Sequence, residues 1–578
     1  MKIKKGNKLT NLVLYLIILV LIVVRFVYLD RFPVGTSHDE IEYVLSSKTY
    51  FLSGVDLSNT AFPKSIFQTK TDGIISFLPP ILLAPYFGLI SLNQFTTRFP
   101  YVVINIITAI SIYFLVKKLF KNKIFSLISL IVFLANPWSF YLSRTASDTA
   151  FALLFYVLGI LFILESSRKK LFLSFLFFIL GFFSYHGAKL ILIPLILVCL
   201  CYRFFLTKVK ISLKTALVFL MSIVLVFGIY FLGNRFYPES INQSRSQDIL
   251  FLNQKLIIPI VDTDRKASLE NPFKEIFINK ITVSSKIFFQ KYLTAFSPEI
   301  LFFYGDNRAT YRFGQHGLFF IVDFIFILIG LINLYKKYPN KAKFLILLVL
   351  ISPLTTAIST VETSVINRSF LLLPILIIFS SFGIFTVHKF ISTKTNRFIS
   401  FFILFSILLF SFGKFLVFYF FQFPIGGQEN NFFSQHVIAS YINRNKDNKI
   451  IVVDPQNRAL FLEAVFYSSK NQKDILRDFV EKQEYVMENV IFTNECPKEI
   501  ENNKTYIMNR SMFDCISKKE NLKSISEEKF GGPLYFIVND SLCSDFDSVK
   551  WLRFHMVKDY LLEDLDDSNF CKTWIKEL

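Results

Sequence analysis

The sequence predicts a polytopic α-helical membrane protein with a small α/β domain at its C-terminal end. Three observations support this prediction. The chain of 578 residues is 53% hydrophobic, with a mean hydropathy of +0.48. Its apolar residues come in blocks of roughly 20, the length at which a helix crosses a hydrocarbon layer of ~30 Å. The residues after 420 carry 20 Lys and Arg against 25 Asp and Glu, so the basic excess lies in the part before them.

The composition also narrows the classes of function. The net charge is +20, yet the 71 Phe residues are spread through the apolar blocks and do not form groups on which bases would stack. Nucleic acid is therefore not expected as a partner, whereas the lipid bilayer is.

Clusters of Lys and Arg predict the order of the spans, because short cytoplasmic loops are enriched in these residues. The N-terminus is placed in the cytoplasm and the C-terminal domain outside it. The first apolar run is interpreted as an uncleaved span, since no small-x-small cleavage site follows it. About eleven spans result: 10–28, 99–120, 124–142, 149–166, 171–187, 188–205, 212–232, 317–335, 342–360, 367–388 and 396–420.

One further apolar stretch, Ile74 to Leu92, is not counted as a span. It contains Pro79, Pro80 and Pro85, which break or kink a helix. Counting it would also reverse the sidedness of every later basic cluster. We expect a pair of helices here that lies along the outer surface of the membrane.

The predicted topology divides the chain into a membrane domain, residues 1–420, and an extracytoplasmic domain, residues 421–578. The membrane domain has two long external loops, 29–98 and 233–316, and three short outer turns. Ionisable groups that recur at one depth of a membrane protein usually line a cavity. Those of the three turns are Arg144, Asp148, His186, Lys189, Glu362 and Arg368.

The extracytoplasmic domain alternates strand-like and helix-like segments. Strands are predicted at 449–454, 485–494, 504–510 and 533–540, and a helix at 458–469. This alternation favours a small α/β domain with a mostly parallel sheet. No glycine-rich phosphate loop precedes a helix there, so no nucleotide is expected.

The six cysteines fall into two groups. Cys199 and Cys201 lie in a predicted span and are interpreted as packing residues. The others suit one or two disulfides in a domain outside the cytoplasm, with their pairing open. They are Cys496, Cys515, Cys543 and Cys571.

The stretch GTSHDEIEYVLS, residues 35–46, places Asp39 and Glu40 side by side at the outer end of the first span. The structural interpretation is a helix start, with Ser37 as N-cap and Glu40 completing a capping box. The chemical interpretation is a base at the membrane surface that faces several cations. Such a set suits a reaction on a lipid-linked phosphate.

Sugar transfer from a polyprenyl phosphate needs few groups. A base takes the proton from the acceptor hydroxyl, and cations hold the phosphate as it leaves. No separate acid is required, because phosphate is already a good leaving group. A single displacement of this kind inverts the anomeric centre.

Several short motifs, in one order and on one side of the membrane, carry a resemblance to a family. The Asp39–Glu40 pair lies in the first external loop, and a surface-lying stretch and Arg98 follow it. The others are NPWSFYLSRTASD (136–148), SYHGAK (184–189), FSPEILFFYGDNRATYRFGQHG (296–317) and NRSFLLLP (367–374). Over roughly residues 1–390 this layout resembles the GT-C glycosyltransferases that use polyprenyl-phosphate sugars, above all the protein O-mannosyltransferase and aminoarabinose transferase group (family 39-like).

The resemblance implies roles for these residues. Asp39 would be the general base and Glu40 would orient it or the acceptor. The lipid phosphate would be bound by Arg98, Lys189 and Arg368. Some members of the group bind a divalent metal near the acidic pair and others do not; the residues for one here are Asp39, Glu40 and His316. Further cavity candidates are His38, Arg144, Asp148, His186, His316 and Glu362, and Arg144 has an alternative partner in Asp148 at i+4.

The chain departs from the mannosyltransferases in one segment. Their first loop usually carries His-Pro-Pro-Leu-Gly-Lys, whereas this chain has FPKSIFQTKTDGIISFLPP. The acceptor therefore stays open between protein, lipid and glycan. Two other functions are also open: a transporter or flippase for a lipid-linked sugar, and a glycan ligase or polymerase at the external face. A transporter would place its charges near the bilayer midplane, whereas here they gather at one face.

Overall fold

The structure is a computed structural model. It describes residues 4–66, 76, 78–165, 167–206, 212–236, 248–306, 314, 316–360, 364–395, 397–427, 431–445, 448–468, 472–515, 522–526, 532–544 and 555–577. Glu362, one of the predicted cavity residues, lies outside this range.

The described part of the chain is mainly helical. Up to residue 417 its helices are α1 (Lys4–Val24), α2 (His38–Ser53), α3 (Leu78–Leu89), α4 (Gln94–Phe120), α5 (Lys123–Ala135), α6 (Pro137–Ser143), α7 (Asp148–Ile163), α8 (Arg168–Ser184), α9 (His186–Cys201), α10 (Leu213–Phe236), α11 (Gln254–Lys266), α12 (Lys274–Phe277), α13 (Lys280–Thr294), α14 (Ile321–Lys337), α15 (Pro339–Ile351), α16 (Leu354–Ile358), α17 (Val365–Arg368), α18 (Leu372–Lys394) and α19 (Arg397–Val417). After it come α20 (Phe423–Gly426), α21 (Phe433–Arg444), α22 (Asn457–Tyr467), α23 (Gln472–Lys482) and α24 (Asp567–Trp574). The strands are β1 (Lys449–Val453), β2 (Val486–Met487), β3 (Val490–Thr493), β4 (Lys504–Asn509), β5 (Lys523–Ser526), β6 (Pro533–Val538) and β7 (Lys576–Glu577).

Each of the predicted spans coincides with at least one helix. Among the described residues, five helices are long and apolar enough to cross a membrane, and the bent pair α5–α6, with a 64° angle, adds a sixth if it is one span. The five are Gln94–Phe120, His186–Leu206, Pro339–Ile358, Leu372–Thr393 and Ile399–Gly426. Large apolar side chains such as Met221 and Phe410 are 65% and 74% exposed, as expected of surfaces that contact lipid.

The stretch 74–92 differs from its prediction. Among the described residues it forms the single helix α3, with Pro85 inside it, rather than a pair of helices. Pro79 and Pro80 lie in the first turn of this helix, where a missing N–H costs no hydrogen bond. These two prolines therefore start the helix and do not break it.

The chain divides into two compact units. The first comprises residues 1–27, 101–143 and 147–416, and the second comprises 28–100, 144–146 and 417–578. The sequence predicted the boundary at 420/421 and assigned the loop 29–98 to the membrane domain. In the structure that loop and the C-terminal domain belong to one unit.

In the first unit α14 and α18 pack with their backbones close together. A Cβ atom at Gly330 would lie 1.8 Å from the Phe379 carbonyl oxygen, and one at Gly383 would lie 2.0 Å from the Phe326 carbonyl oxygen. Only glycine fits at both positions, since contact this close leaves no room for a side chain.

The second unit contains a seven-stranded sheet with the order β2-β3-β1-β4-β6-β5-β7. Only β1–β3 and β1–β4 are parallel pairs, so the predicted mostly parallel sheet is wrong. The alternation of residues along a strand shows which faces are buried but not the direction of its neighbour. Here β4, β6 and β5 pair antiparallel and form one half of the sheet.

Helix α2 packs within this unit against α22 and α23 of the C-terminal domain. Glu42 of α2 forms a largely buried salt bridge with Arg458 of α22. Removing one partner of such a pair leaves an unpaired charge in the protein interior, which is strongly destabilising. The start of the first loop is therefore held by the C-terminal domain.

The cysteines confirm most of their prediction. Cys496 pairs with Cys515 and Cys543 pairs with Cys571, so both disulfides lie in the C-terminal domain. Cys199 is fully buried, as expected of a packing residue, whereas Cys201 is exposed. The packing interpretation is therefore wrong for Cys201, because its position on α9 faces outward.

Candidate functional site

Helix α2 begins with the predicted capping box. The Ser37 side chain accepts a hydrogen bond from the Glu40 backbone, and the Glu40 carboxylate accepts one from the Ser37 backbone at 3.0 Å. This reciprocal pair satisfies two backbone donors at the helix start. The N-terminal end of α2, and with it the position of Asp39, is thereby fixed.

Glu40 also joins two sequence motifs that lie about a hundred residues apart. Its Oε1 accepts a hydrogen bond from the Ala146 backbone at 2.5 Å, while its Oε2 accepts from Ser37. The side chain is only 2% exposed. Both carboxylate oxygens of Glu40 are therefore engaged within the protein.

Asp39 has the opposite environment. Its side chain is exposed, and within the described part of the chain no hydrogen bond or salt bridge reaches its carboxylate. It lies in the first helical turn, where the helix dipole favours a negative charge. Of the two predicted acids, only Asp39 has an exposed side chain.

Two fully buried arginines hold the loop that leads into α2. Arg98 donates to the carbonyls of Leu29 and Gly35, at 3.2 and 2.6 Å. Arg144 donates to the carbonyls of Tyr28 and Phe32, at 2.8 and 3.0 Å.

The Arg144 guanidinium also lies over the rings of Tyr419 and Phe420, at 5.6 and 5.3 Å from their centroids. The structure therefore places both predicted cations in contacts that shape the loop. Arg98 was predicted to bind the phosphate; in the structure its guanidinium is fully buried and donates to two backbone carbonyls.

Gly35 occupies a position in this loop that requires glycine. Its φ is +76°, and a Cβ atom would lie 2.4 Å from the Asn431 carbonyl oxygen. The left-handed conformation costs a residue with a side chain about 1–2 kcal/mol before any clash is counted.

We expect Gly35→Ala to lower the unfolding temperature and to reduce activity several-fold, because the loop before Ser37 must shift away from Asn431. The measurement is thermal unfolding and turnover of the detergent-purified protein. Gly413→Ala is the control, because a Cβ there would meet no atom within 4 Å. Equal unfolding temperatures for the two variants would contradict the expectation.

In the first unit the structure brings Lys189 and His186 together. The Lys189 ammonium donates to the Tyr230 hydroxyl at 2.8 Å and lies 3.3 Å from Nδ1 of His186. It also lies 4.5 Å from the centroid of the Tyr230 ring. Asp148 is buried at the first residue of α7.

Arg368 lies at the end of α17 in the same unit, and it has a cationic neighbour that the sequence did not indicate. Lys291 of α13 donates to the carbonyls of Ser359 and Thr360, at 2.7 and 3.2 Å. Burial lowers the pKa of Lys291, and the positive charge of Arg368 lowers it further. Two cations are therefore held near each other at the cost of mutual repulsion.

The other two predicted histidines, His316 and His38, lie in different units. His316 belongs to the first unit, donates from Nδ1 to the Gly317 carbonyl at 2.7 Å and packs against Phe415. His38 belongs to the second unit, where its Nε2 lies 2.7 Å from Oε1 of Gln435 and its ring stacks on Phe432.

Comparison with known proteins gives matches among solved structures only. No protein-family profile and no curated protein matches the sequence. The structure of ArnT from Cupriavidus metallidurans bound to undecaprenyl phosphate matches with a TM-score of 0.50 and 13% identity, over 91% of this chain and 98% of that one. AglB from Archaeoglobus fulgidus, an archaeal oligosaccharyltransferase in complex with an inhibitory peptide and a dolichol-phosphate, gives a TM-score of 0.45 and 11% identity, over 91% and 74%. ArnT is a GT-C fold glycosyltransferase.

The chain has the GT-C fold. This confirms the predicted fold class of a polytopic helical membrane protein with a C-terminal domain that contains a sheet. At 13% identity the match establishes the fold only. The reaction has to be inferred from the residues of the site.

The acidic pair of this GT-C chain offers one open carboxylate to a divalent metal. Within the described residues no group of three or more His, Cys, Asp and Glu side chains is placed to hold a metal ion. Glu40 has both oxygens on backbone N–H groups, which leaves Asp39 as the single open carboxylate of the pair. Mg²⁺ is usually bound by one or two carboxylates, with waters and substrate phosphates as its other ligands, so a metal at Asp39 would need such further oxygens.

Sequence reasoning missed three contributors to this part of the GT-C fold. Ala146 contributes only a backbone N–H, and Lys291 lies on α13, in a stretch where the sequence shows no motif. Gln435 belongs to a helix that the sequence analysis did not predict. The amphipathic pattern of α21 would have indicated that helix, but nothing local would have indicated its contact with His38.

Proposed function

We propose that this chain transfers a sugar from a polyprenyl-phosphate donor to an acceptor hydroxyl at the external face of the membrane, with inversion and with Asp39 as general base. The observation that carries the proposal is the contrast within the acidic pair. Both carboxylate oxygens of Glu40 accept backbone hydrogen bonds, whereas the Asp39 carboxylate is exposed on a helix start that these bonds fix. A base must be within hydrogen-bond reach of the proton that it takes, and Asp39 is open to a substrate.

The proposed step is a single displacement. The acceptor oxygen attacks the anomeric carbon while its proton passes to the Asp39 carboxylate. The bond from the anomeric carbon to the phosphate oxygen breaks, and the phosphate leaves with the electron pair. Because Glu40 fixes α2 through Ser37 and Ala146, Asp39 is positioned before the substrate binds, which lowers the entropic part of the barrier.

The leaving phosphate needs positive charge. Lys189 and Arg368 stay the predicted ligands of this phosphate, and Lys291 is a further candidate because it interacts electrostatically with Arg368. We assign Arg98 to the support of the loop because it is buried on two carbonyls. An anion beside Arg368 and Lys291 would relieve the repulsion between them.

Two findings support the lipid donor and the external face. The ArnT structure with the same fold contains undecaprenyl phosphate. Both disulfides lie in the C-terminal domain, and disulfides persist in oxidising compartments outside the cytoplasm.

The function is tested with the purified chain in nanodiscs and undecaprenyl-phosphate-linked hexose and pentose donors. A serine- and threonine-containing peptide, a lipid-linked saccharide and a free disaccharide serve as acceptors. Transfer is measured as release of undecaprenyl phosphate together with a glycosylated acceptor. Movement of the intact donor between leaflets without release of undecaprenyl phosphate would instead identify a flippase.

Lys291→Gln should raise the KM for the lipid donor about tenfold, since a lost charge-assisted contact of about 1.4 kcal/mol corresponds to that factor. Glutamine keeps a donor for the Ser359 carbonyl but removes the charge, so folding should be retained. The measurement is the KM for the donor at saturating acceptor. Lys286→Gln, at an exposed position of the same helix, is the control, and equal KM values for the two variants would remove Lys291 from the donor site.

A further inference from the structure

The segment from α11 to α13, in the second predicted external loop, has a small apolar core of its own. The Arg265 side chain donates to the Ile278 carbonyl at 2.8 Å and ties α11 to the residues just before α13. The buried side chains of the core are Leu250, Ile257, Val261 and Val283. One face of α11 and one face of α13 are therefore already covered by each other.

A second set of apolar side chains in this segment lies outside that core. The side chains of the set are between 59% and 90% exposed. We call them the loop patch: Leu269, Phe273, Ile276, Phe277 and Ile281. The rings of Phe273 and Phe277 lie side by side, with centroids 6.4 Å apart. Apolar side chains grouped in this way mark a surface that binds a partner or a membrane, whereas single ones are ordinary.

Helix α13 continues the apolar surface to a membrane span. The Tyr292 hydroxyl donates to the Leu350 carbonyl at 2.7 Å, and Leu350 lies within the span Pro339–Ile358 rather than at its end. The Leu350 side chain is 48% exposed, as expected of a residue that faces lipid. Phe289 lies one helical turn from Tyr292 and from Leu293, and both Phe289 and Leu293 are exposed. The apolar surface of α13 is therefore next to a lipid-facing part of a span.

Two further hydrogen bonds fix the segment at the end of the same span. The Leu250 backbone donates to the carbonyl of Ile358, the last residue of the span, at 2.8 Å. Lys291 donates to the carbonyl of Ser359, the next residue, at 2.7 Å. The segment is thus held where the span leaves the bilayer, which is the outer side in the predicted topology.

The charge of the segment suits a bilayer that contains anionic lipids. Residues 254–294 carry seven Lys and Arg against four Asp and Glu. Lys266 and Lys280 are exposed and lie close to the loop patch in the sequence. Basic side chains beside large apolar ones are typical of segments that lie in the membrane interface, where the basic groups attract anionic headgroups.

We propose that the loop patch inserts into the outer leaflet of the bilayer and that Lys266 and Lys280 contact anionic lipid headgroups there. The occupant is a lipid surface because α13, which begins beside Ile281 of the patch, leads directly to lipid-facing Leu350. Insertion removes large apolar side chains from water and so anchors the segment in addition to its hydrogen bonds to the span. This contact goes beyond the proposed reaction and does not depend on it.

Spin labels measure whether the patch is in lipid. The full chain is placed in nanodiscs, with Cys201→Ser to remove the exposed free thiol, and a nitroxide is attached to Phe277→Cys or to Ile281→Cys. Oxygen concentrates in lipid and a neutral nickel chelate in water. We expect the ratio of oxygen to nickel collisions at both labels to be several-fold higher than at Asp264→Cys, an exposed polar position of α11. Equal ratios at all three labels would overturn the insertion.

A second measurement tests the headgroup contact. Nanodiscs of phosphatidylcholine are compared with nanodiscs of an equal mixture of phosphatidylcholine and phosphatidylglycerol. The collision ratio of the Ile281→Cys label should rise in the mixed discs, and the double change Lys266→Gln and Lys280→Gln should remove the rise. Lys498→Gln with Lys572→Gln, at exposed positions of the second unit, is the matched control. A ratio that does not respond to phosphatidylglycerol would refute the contact with anionic headgroups.

A protein partner would give a different result. A second copy of the chain or another protein on the patch would shield both labels from oxygen and from nickel, and this outcome would overturn the proposal. Phe277→Trp gives an independent check, since its added emission should be quenched by brominated phosphatidylcholine and not by iodide. None of these measurements requires sugar transfer, so a failure of the proposed function would leave their interpretation unchanged.

Discussion

Asp39→Asn should reduce sugar transfer by about 10²- to 10⁴-fold, the contribution of a positioned general base. Asparagine has nearly the same shape but cannot take a proton from the acceptor hydroxyl. Within the described part of the chain no hydrogen bond or salt bridge of Asp39 would be lost, so folding should be unchanged apart from the small effect of a charge at a helix start. The measurement is kcat/KM together with thermal unfolding of the purified variant.

A matched control tests whether the loss of activity comes merely from removing a negative charge at a helix start. Asp474 is an exposed carboxylate in the first turn of α23, in the same unit, and its change to asparagine should leave transfer intact. Near-normal turnover in Asp39→Asn would exclude Asp39 as the base. A loss of the same size in Asp474→Asn would show that the effect is not specific to the site.

Glu40→Gln should destabilise the fold and also slow transfer. Two backbone donors, from Ser37 and Ala146, each require an oxygen of this side chain, and glutamine supplies only one. Its amide nitrogen would face a buried N–H, and a buried donor without its partner costs about 1–3 kcal/mol. Because α2 would then shift, we expect a loss of up to about 10²-fold in kcat, the cost of a small misplacement of the base.

Thermal unfolding separates the two acids. Asp39→Asn should lose activity at an unchanged unfolding temperature, whereas Glu40→Gln should lose both. If Glu40→Gln unfolds like the wild type, the contact with Ala146 does not hold the helix and the assigned division of roles is wrong.

The capping box shows what a local pattern predicts reliably. Ser37 and Glu40 lie three residues apart, so helix geometry alone brings them together, and the structure has the predicted bonds. The same holds for the span helices, whose length and hydropathy are local properties. The sequence also placed Asp39 and Glu40 at one site, but it did not distinguish the exposed acid from the buried one.

Contacts between distant residues were beyond the reach of the sequence. The resemblance assigned Arg98 to the phosphate, and the structure buries it on the carbonyls of Leu29 and Gly35. Arg25 was assigned no role, yet it is fully buried and donates to Asn105, Ser139 and the Leu134 carbonyl. A buried cation needs hydrogen-bond acceptors around it. Here these acceptors come from segments that lie far apart in the sequence, so no single segment predicts them.

The sequence by itself determined that this chain is a helical membrane protein with a C-terminal sheet domain, and that an acidic pair begins the helix of its first loop. These properties follow from hydropathy and from side chains within one helical turn of each other. Only the tertiary structure decided that Glu40 is bound to Ala146, that Asp39 stays exposed, and that Nε2 of His38 lies 2.7 Å from Oε1 of Gln435. Those facts depend on contacts between residues that are far apart in the sequence. Only the folding of the chain brings such residues together in space.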